Sequence, residues 1–165
     1  MTEKTNEIII GELLRQRGWR LAVAESCTGG LIGHQLTNAT GSSTYFVGGI
    51  IAYSYKSKVR LLGVTWDTLE KHGAVSREVV IQMARGARHA LAADVGLSVS
   101  GIAGPGGGTP DKPVGTTWIG LSTPYNEEGK QFIWDQDRVG NKELTAEAAL
   151  QLLVDYLRSH PDGKS

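Results

Sequence analysis

This sequence of 165 residues has little cysteine, no net charge and no long apolar run. Its single cysteine, Cys27, cannot form an internal disulfide, which favours a reducing compartment and hence a cytoplasmic location. Basic and acidic residues number 17 each, so the basic excess typical of a nucleic-acid-binding surface is missing. No apolar stretch approaches the roughly 20 residues that a membrane-spanning helix needs. We therefore expect no disulfide, no nucleic-acid partner and no membrane partner.

Several common catalytic and nucleotide-binding patterns are also missing. The segment GPGGGTPDK lacks the register of a Walker A loop, and it does not form G-x-G-x-x-G before a helix. Ser26 does not lie in a G-x-S-x-G elbow. The four histidines are scattered without ligand spacing, which predicts no metal site and disfavours a Ser-His-Asp triad. We expect no cofactor.

The chain does contain apolar strand patterns that alternate with amphipathic helix patterns. Apolar residues make up 40% of the chain, enough for a substantial core. The later strands follow one another directly and are expected to pair antiparallel. This order predicts a three-layer α/β/α sandwich with a mixed, mostly parallel sheet, in a single domain over residues 1–165. The patterns place helices at 4–18, 29–38, 56–62, 65–73, 76–93 and 141–158, and strands at 20–24, 45–55, 94–101, 114–123 and 131–134.

The segment AESCTGG, residues 24–30, joins the first predicted strand to a predicted helix. The start of a helix presents free backbone N–H groups and the positive end of the helix dipole. These groups can bind an anion or stabilise developing negative charge beside the hydroxyl of Ser26 and the thiol of Cys27. The alternative is that Glu25, Ser26 or Thr28 caps the helix.

A lysine is the remaining candidate for a catalytic base. Lys58 follows an apolar strand pattern that ends near Tyr53. Its amine could deprotonate a serine only if burial or nearby positive charge lowers its pKa from about 10.4 toward neutrality. Lys56 and Arg60 could supply that charge. The alternative is that Lys58 is solvated like most lysines.

The segment 101–113 and Arg138 are candidate ligand-binding elements. The segment is rich in glycine and proline, so its backbone could approach a ligand and turn N–H groups inward as an anion nest. It could equally be a flexible connector. Arg138 could grip a phosphate or carboxylate through a forked contact, or form a surface ion pair.

Five segments together resemble one known family over nearly the whole chain. They are, in order, AESCTGG, GGIIAYSYKSK, HGAVS, SVSGIAGPGGGTPDKPVGTTW and DQDR, and they resemble the C-terminal domain of the competence/damage-inducible CinA family. The resemblance implies an amidohydrolase that converts nicotinamide mononucleotide and water to nicotinic acid mononucleotide and ammonia, in pyridine nucleotide recycling. It implies that Ser26 is the nucleophile, Lys58 the base and Tyr53 a proton relay. It also implies a small nucleotide as the substrate and self-association into a homo-oligomer.

The same resemblance supplies expectations about substrate binding. Two departures from the family pattern bear on them: Tyr55 and Lys56 replace Asn and Glu, and Lys142 stands where a second arginine is usual. These departures leave two alternatives open, a non-catalytic nucleotide-binding or regulatory module and a hydrolase of a different small amide. The residues expected to bind substrate or the oxyanion are Cys27, Thr28, Gly29, Gly30, Gly101, Gly104, Gly106, Thr116, Arg138 and Lys142.

Overall fold

The computed structural model describes residues 2–161. Residues 1 and 162–165, which belong to the expected domain of residues 1–165, lie outside this range. The described residues form six α-helices and five β-strands: α1 Asn6–Arg17, β1 Leu21–Glu25, α2 Leu31–Thr37, β2 Phe46–Ile51, α3 Tyr55–Leu62, α4 Trp66–His72, α5 Arg77–Ala90, β3 Val95–Gly101, β4 Thr116–Ser122, β5 Glu127–Ile133 and α6 Arg138–Ser159.

The five strands form one sheet in the order β2-β1-β3-β4-β5. Strand β1 is parallel to β2 and to β3, whereas β4 is antiparallel to β3 and to β5. Four strands therefore point in one direction and β4 in the other, which confirms the mixed sheet. From the end of β1 the chain goes to β2, on one side of the β1–β3 pair, and from the end of β3 it goes to β4, on the other side. Because these two connections leave in opposite directions, they leave a crevice at the carboxyl ends of β1 and β3.

Helices cover both faces of the sheet, which confirms the three-layer α/β/α sandwich. On one face, Leu21 and Val23 of β1 pack in a core with α1, α2 and α6. On the other face, Ala22 and Ala24 pack in a second core with α3, α4 and α5. This alternation is the two-residue period of a strand that is buried on both sides. Within residues 2–161, no helix combines the length and the apolar character that crossing a membrane requires.

Glycines in the sheet let α5 approach it closely. A Cβ on Gly96 of β3 would overlap the carbonyl oxygen of Ala84, and a Cβ on Gly120 of β4 would overlap that of Val80. The hydroxyl of Ser98 also donates to the Val80 carbonyl, at 2.5 Å. These contacts hold the first turn of α5 beside the carboxyl half of β3.

The strand predicted at 45–55 is shorter than expected, whereas the helix predicted at 56–62, which carries Lys58, is confirmed as α3. Strand β2 ends at Ile51. Ser54 then accepts the N–H of Ser57 at 3.1 Å while Ser57 Oγ accepts the N–H of Ser54 at 3.1 Å. This reciprocal capping box starts α3 and ends the extended chain. Lys58 is consequently the fourth residue of α3.

Two later boundaries also differ from the prediction. Strand β5 begins at Glu127, not at 131, because Thr123 Oγ1 accepts the N–H of Asn126 at 3.1 Å and closes the turn earlier. Helix α6 was predicted from 141 but begins at Arg138, since Asp137 caps it by accepting the N–H of Gly140 at 2.8 Å. The earlier start places Arg138 in the first turn of α6.

Candidate active site

Ser26 lies in the crevice at the carboxyl end of β1. Its N–H donates to the carbonyl oxygen of Val99 at 3.2 Å, which continues the ladder between β1 and β3 one residue beyond Glu25. The side chain is only 6% exposed. Strand alternation places it on the same face as Ala22 and Ala24, toward α3 and α5.

The amine of Lys58 meets the hydroxyl of Ser26 inside this crevice. Lys58 is 1% exposed, and its Nζ lies 2.9 Å from Ser26 Oγ. The same nitrogen donates to the backbone carbonyls of Ala52 at 2.9 Å and Tyr53 at 3.0 Å. In the neutral amine these carbonyls occupy two N–H groups, so the lone pair faces the serine hydroxyl. This is the geometry of a general base beside its nucleophile.

Burial also brings the basicity of Lys58 into the useful range. Removal of the ammonium from water lowers the pKa of Lys58 from 10.5 to about 8. At pH 7 a pKa of about 8 leaves roughly one amine in ten neutral, against roughly one in 3,000 at a pKa of 10.5. The cause is burial, not the charges of Lys56 or Arg60, and Lys56 is exposed on α3.

The neighbouring thiol is not activated. Burial raises the pKa of Cys27 to about 12, so the thiol stays protonated near neutral pH. A thiol in that state is a poor nucleophile. Of the two candidate nucleophiles in AESCTGG, only Ser26 is in contact with a base of lowered pKa.

Glu25 performs the helix capping that was the alternative interpretation of AESCTGG. Its carboxylate is 2% exposed and lies under the start of α2. Because Glu25 accepts the N–H groups at the start of α2, Ser26 is not needed as the cap. The anion-binding interpretation of the segment stays a prediction. The carboxylate accepts four hydrogen bonds: from Thr28 Oγ1 at 2.5 Å and from the N–H groups of Gly30 at 3.2 Å, Ile32 at 2.9 Å and Gly33 at 3.0 Å.

Replacing Glu25 by glutamine is expected to lower the free energy of unfolding by about 2 kcal/mol. The amide keeps the size of the side chain, but its NH2 group cannot accept the N–H bond that one carboxylate oxygen now accepts. Urea unfolding of the two proteins measures the loss. Glu70→Gln, on the exposed side of α4, is the matched control and should stay within about 0.5 kcal/mol of the original protein. Equal effects of the two changes would contradict the capping role.

The four residues expected to bind an oxyanion divide into two pairs. The N–H of Gly29 donates to the Ser26 carbonyl at 3.2 Å, and that of Gly30 donates to Glu25, so both are already used. The N–H groups of Cys27 and Thr28 make no hydrogen bond to another residue of the described range. The oxyanion role stays a prediction for Cys27 and Thr28, which directly follow Ser26; within the described range, the Cys27 N–H interacts only with its own thiol.

The backbone carbonyl of Tyr53 accepts a hydrogen bond from Lys58, whereas its side-chain hydroxyl is hydrogen-bonded to Arg138. The side chain is 63% exposed, and its hydroxyl accepts a hydrogen bond from Arg138 Nη2 at 3.2 Å. Arg138 Nη1 donates to the carbonyl of Gly104 at 2.7 Å. Arg138 thus ties the segment after β2 to the loop after β3. The proton relay expected of the Tyr53 hydroxyl stays a prediction.

The loop after β3 is held by its own hydrogen bonds. The N–H of Ile102 donates to the carbonyl of Thr116 at 2.9 Å, and the N–H of Gly115 donates back to Ile102 at 2.7 Å. The hydroxyl of Thr116, which is fully buried, donates to the Pro113 carbonyl at 2.7 Å. The structure therefore uses the Thr116 hydroxyl to close the loop, and not to face a substrate.

The candidate glycines of this loop differ in the contacts that they make. Gly101 packs against the neighbouring strand, where an added Cβ would lie 2.5 Å from Thr117 Oγ1. The Gly104 carbonyl is held by Arg138. Within the described chain, the N–H groups of Gly104 and Gly106 make no hydrogen bond, so they remain open to a ligand.

Sequence reasoning does not identify Asn141, which joins the loop to α6. It is 2% exposed, and its Nδ2 donates to the Ala103 carbonyl at 3.0 Å while its Oδ1 accepts the N–H of Gln136 at 2.9 Å. The available signal was a polar residue on the face that α6 buries, one turn before buried Thr145.

Lys142 lies on a groove that opens beside the start of α2. It makes no hydrogen bond or ion pair with another residue in 2–161. Its charge acts on the Cys27 thiol, where it opposes the effect of burial on the pKa. Among the described residues, a cation without a hydrogen-bond or ion-pair partner therefore lies near Cys27. The groove has a volume of about 420 Å³ and is lined by Thr28, Gly29, Gly30, Leu31, His34, Val139, Lys142 and Glu143.

Comparison with protein families and curated proteins identifies one family. The family model for the CinA C-terminal domain matches residues 3–157. A CinA-like protein of Salinibacter ruber is 50% identical over 147 residues, which is 89% of this chain and 36% of that protein. A putative competence-damage inducible protein of Halothermothrix orenii is 50% identical over 150 residues, 90% of this chain and 36% of that protein. This chain thus spans little more than a third of these relatives.

Solved structures with the same architecture are similar to this chain over most of its length. A competence-damaged protein (CinA) superfamily protein of Klebsiella pneumoniae is similar with a TM-score of 0.89 and 30% identity, over 93% of this chain and 96% of that chain. A competence/damage inducible protein of Agrobacterium tumefaciens is similar with a TM-score of 0.86 and 34% identity, over 96% and 98% of the two chains.

Proposed function

Because this chain belongs to the CinA C-terminal domain family, we propose that it is a nicotinamide-nucleotide amidase. The reaction converts nicotinamide mononucleotide and water to nicotinic acid mononucleotide and ammonia, in pyridine nucleotide recycling. The observation that carries the proposal is the 2.9 Å contact between Ser26 Oγ and the buried Lys58 amine. Family membership alone leaves the reaction open, and this pair supports acyl transfer on an amide.

The proposed first step makes an acyl-enzyme. The neutral Lys58 amine takes the proton of Ser26 as Oγ bonds to the amide carbon, and the carbonyl oxygen becomes negatively charged. The open N–H groups of Cys27 and Thr28 stabilise that oxygen. The carbon–nitrogen bond then breaks. The proton held by Lys58 passes to the departing nitrogen, directly or through the Tyr53 hydroxyl, and ammonia leaves.

The second step returns the enzyme to its starting state. Lys58, neutral again, takes a proton from a water molecule as the water oxygen bonds to the acyl carbon. The bond between that carbon and Ser26 Oγ breaks, and Lys58 returns the proton to Oγ. The products are the free serine and the nucleotide carboxylic acid, which gives its proton to water and leaves as the carboxylate.

The test of the proposed function is ammonia release from nicotinamide mononucleotide with a chelator present. We expect ammonia and nicotinic acid mononucleotide in equal amounts. Binding of the nucleotide by calorimetry without turnover would instead support a non-catalytic nucleotide-binding or regulatory module. Turnover of other small amides but not of this nucleotide would support a different amidase. The departures at Tyr55 and Lys56 motivate these alternatives, although Lys56 is exposed and Tyr55 accepts a hydrogen bond from the Ala74 N–H at 3.4 Å.

Two cations were expected to bind the ribosyl phosphate, and their contacts favour Lys142. Arg138 already donates to the Gly104 carbonyl and the Tyr53 hydroxyl. Lys142 has no partner among the described residues and borders the groove beside Thr28. An ammonium there can hold a phosphate as a point charge. We therefore assign the phosphate to Lys142 and a loop-fastening role to Arg138.

Lys142→Met is expected to raise KM for nicotinamide mononucleotide about tenfold with kcat within about twofold, because the phosphate is bound equally in the ground and transition states. Steady-state ammonia assays measure both constants. For nicotinamide riboside, which lacks the phosphate, the same change should leave KM unaltered. Lys71→Met, on the exposed surface of α4, is the control. An equal rise of KM for the riboside would contradict the assignment.

The homo-oligomer and the cytoplasmic location that the sequence suggested stay predictions. Light scattering of the purified chain measures the first.

A further inference from the structure

Ser100 is the cross-strand neighbour of Ser26 in the crevice. The register pairs Glu25 with Val99, and the N–H of Ser26 donates to the Val99 carbonyl, so the next pair is Ser26 with Ser100. Neighbouring strands lie about 4.8 Å apart, and residues paired in register project to the same face. The two hydroxyl groups therefore lie side by side on the face that Lys58 approaches from α3.

The hydroxyl of Ser100 has no structural partner in the described part of the chain. The side chain is 2% exposed, yet it makes no hydrogen bond with any residue of 2–161. Ser98, two positions earlier on the same face, donates to the Val80 carbonyl at 2.5 Å, so packing explains its hydroxyl. Its oxygen is not one of the fully buried polar atoms that lack a partner, so it reaches the solvent of the crevice. A ligand bound in the crevice can therefore contact this hydroxyl.

We propose that Ser100 Oγ accepts a hydrogen bond from the carboxamide nitrogen of the substrate. This inference rests on the proposed amidase function. Lys58 is held on the β2 side of Ser26 by the Ala52 carbonyl, whereas Ser100 lies on the β3 side. The open N–H groups of Cys27 and Thr28 follow Ser26 along the chain and take the oxygen.

This arrangement explains how the nitrogen is made ready to leave. A carbon bonded to Ser26 Oγ carries its nitrogen between Lys58 and Ser100. An N–H group donated to Ser100 turns the lone pair of that nitrogen toward the proton held by Lys58. An ester presents no N–H group at its leaving oxygen, so Ser100 selects amides over esters.

The test compares two substrates in one variant. Ser100→Ala is expected to lower kcat/KM for nicotinamide mononucleotide by about 10- to 100-fold, and to leave kcat/KM for the methyl ester of nicotinic acid mononucleotide within about twofold. The ratio of the two constants is the readout, because it does not depend on the fraction of folded protein. Ser100→Thr keeps a hydroxyl and should restore the ratio. Ser98→Ala is the matched control, and its ratio should equal that of the original protein.

The possible results separate this inference from the proposed function. If Ser100→Ala slows both substrates equally while the original protein releases ammonia, the Ser100 inference is wrong and the amidase stands. If the original protein hydrolyses neither substrate, both the Ser100 inference and the proposed amidase function are wrong. Should Ser100→Ala not fold, Ser100→Cys preserves the shape with a weak acceptor. Its ratio should also fall, and an unchanged ratio would overturn the inference.

Discussion

Ser26→Ala is expected to lower kcat for ammonia release by at least about 1,000-fold, because the change removes the atom that bonds to the amide carbon. Nucleotide binding, measured by calorimetry, should persist, since the N–H groups of Cys27 and Thr28 and the Lys142 groove remain. The original protein should also form a hydroxamate when hydroxylamine traps the acyl-enzyme, and the variant should not. Steady-state ammonia assays and mass spectrometry provide the measurements.

Ser98→Ala is the control for this experiment. It also removes a buried hydroxyl from the same face of the sheet, but that hydroxyl donates to the Val80 carbonyl. Its loss should therefore lower the free energy of unfolding and leave kcat unchanged. Ammonia release by Ser26→Ala at a rate near that of the original protein would show that another residue is the nucleophile.

Lys58→Met is expected to lower kcat by about 100- to 10,000-fold, the usual contribution of a positioned general base. Methionine nearly matches the length of lysine but has no basic group, so Ser26 keeps its place and loses its proton acceptor. The original enzyme should show kcat rising about tenfold per pH unit up to about pH 8 and level above it. The sign follows from the reaction: the neutral amine is the active form, and raising the pH through the pKa increases its population. The residual activity of Lys58→Met should lack this rise.

Lys56→Met supplies the contrast within the same helix. Lys56 is exposed and lies two residues before Lys58, so its loss removes a positive charge from α3 without touching the buried amine. Its kcat and pH profile should match those of the original protein within about twofold. A pH profile of Lys58→Met that still rises toward pH 8 would show that another group is the base.

Much of the site was visible along the chain because its parts are local. The contact of Glu25 with the start of α2 joins residues within eight positions of each other. Capping arises from such short spacings, and the sequence accordingly offered Glu25 among its caps. The capping box of Ser54 and Ser57 is equally local, yet the neighbouring aromatic residues favoured a strand, and so β2 was predicted to run to 55 although it ends at Ile51.

The loop after β3 shows where local reasoning failed. Glycine-rich composition predicted a backbone open to a ligand, and part of it is, at Gly104 and Gly106. The Thr116 hydroxyl and Arg138, however, are occupied by contacts that close the loop and fasten it to α6. Asn141 completes that fastening from 38 positions away. Composition carries no information about such partners.

The sequence by itself determined the order of strands and helices, the three-layer arrangement and the residue types of the candidate site, because periodicity and capping act over a few residues. Only the tertiary structure decided that the Lys58 amine, 32 positions from Ser26, is buried against the serine hydroxyl. It also brought Ser100 beside Ser26 through strand register. The physical reason is that a pKa and a hydrogen-bond partner depend on what surrounds a group in space, which the folded sheet and its helices supply.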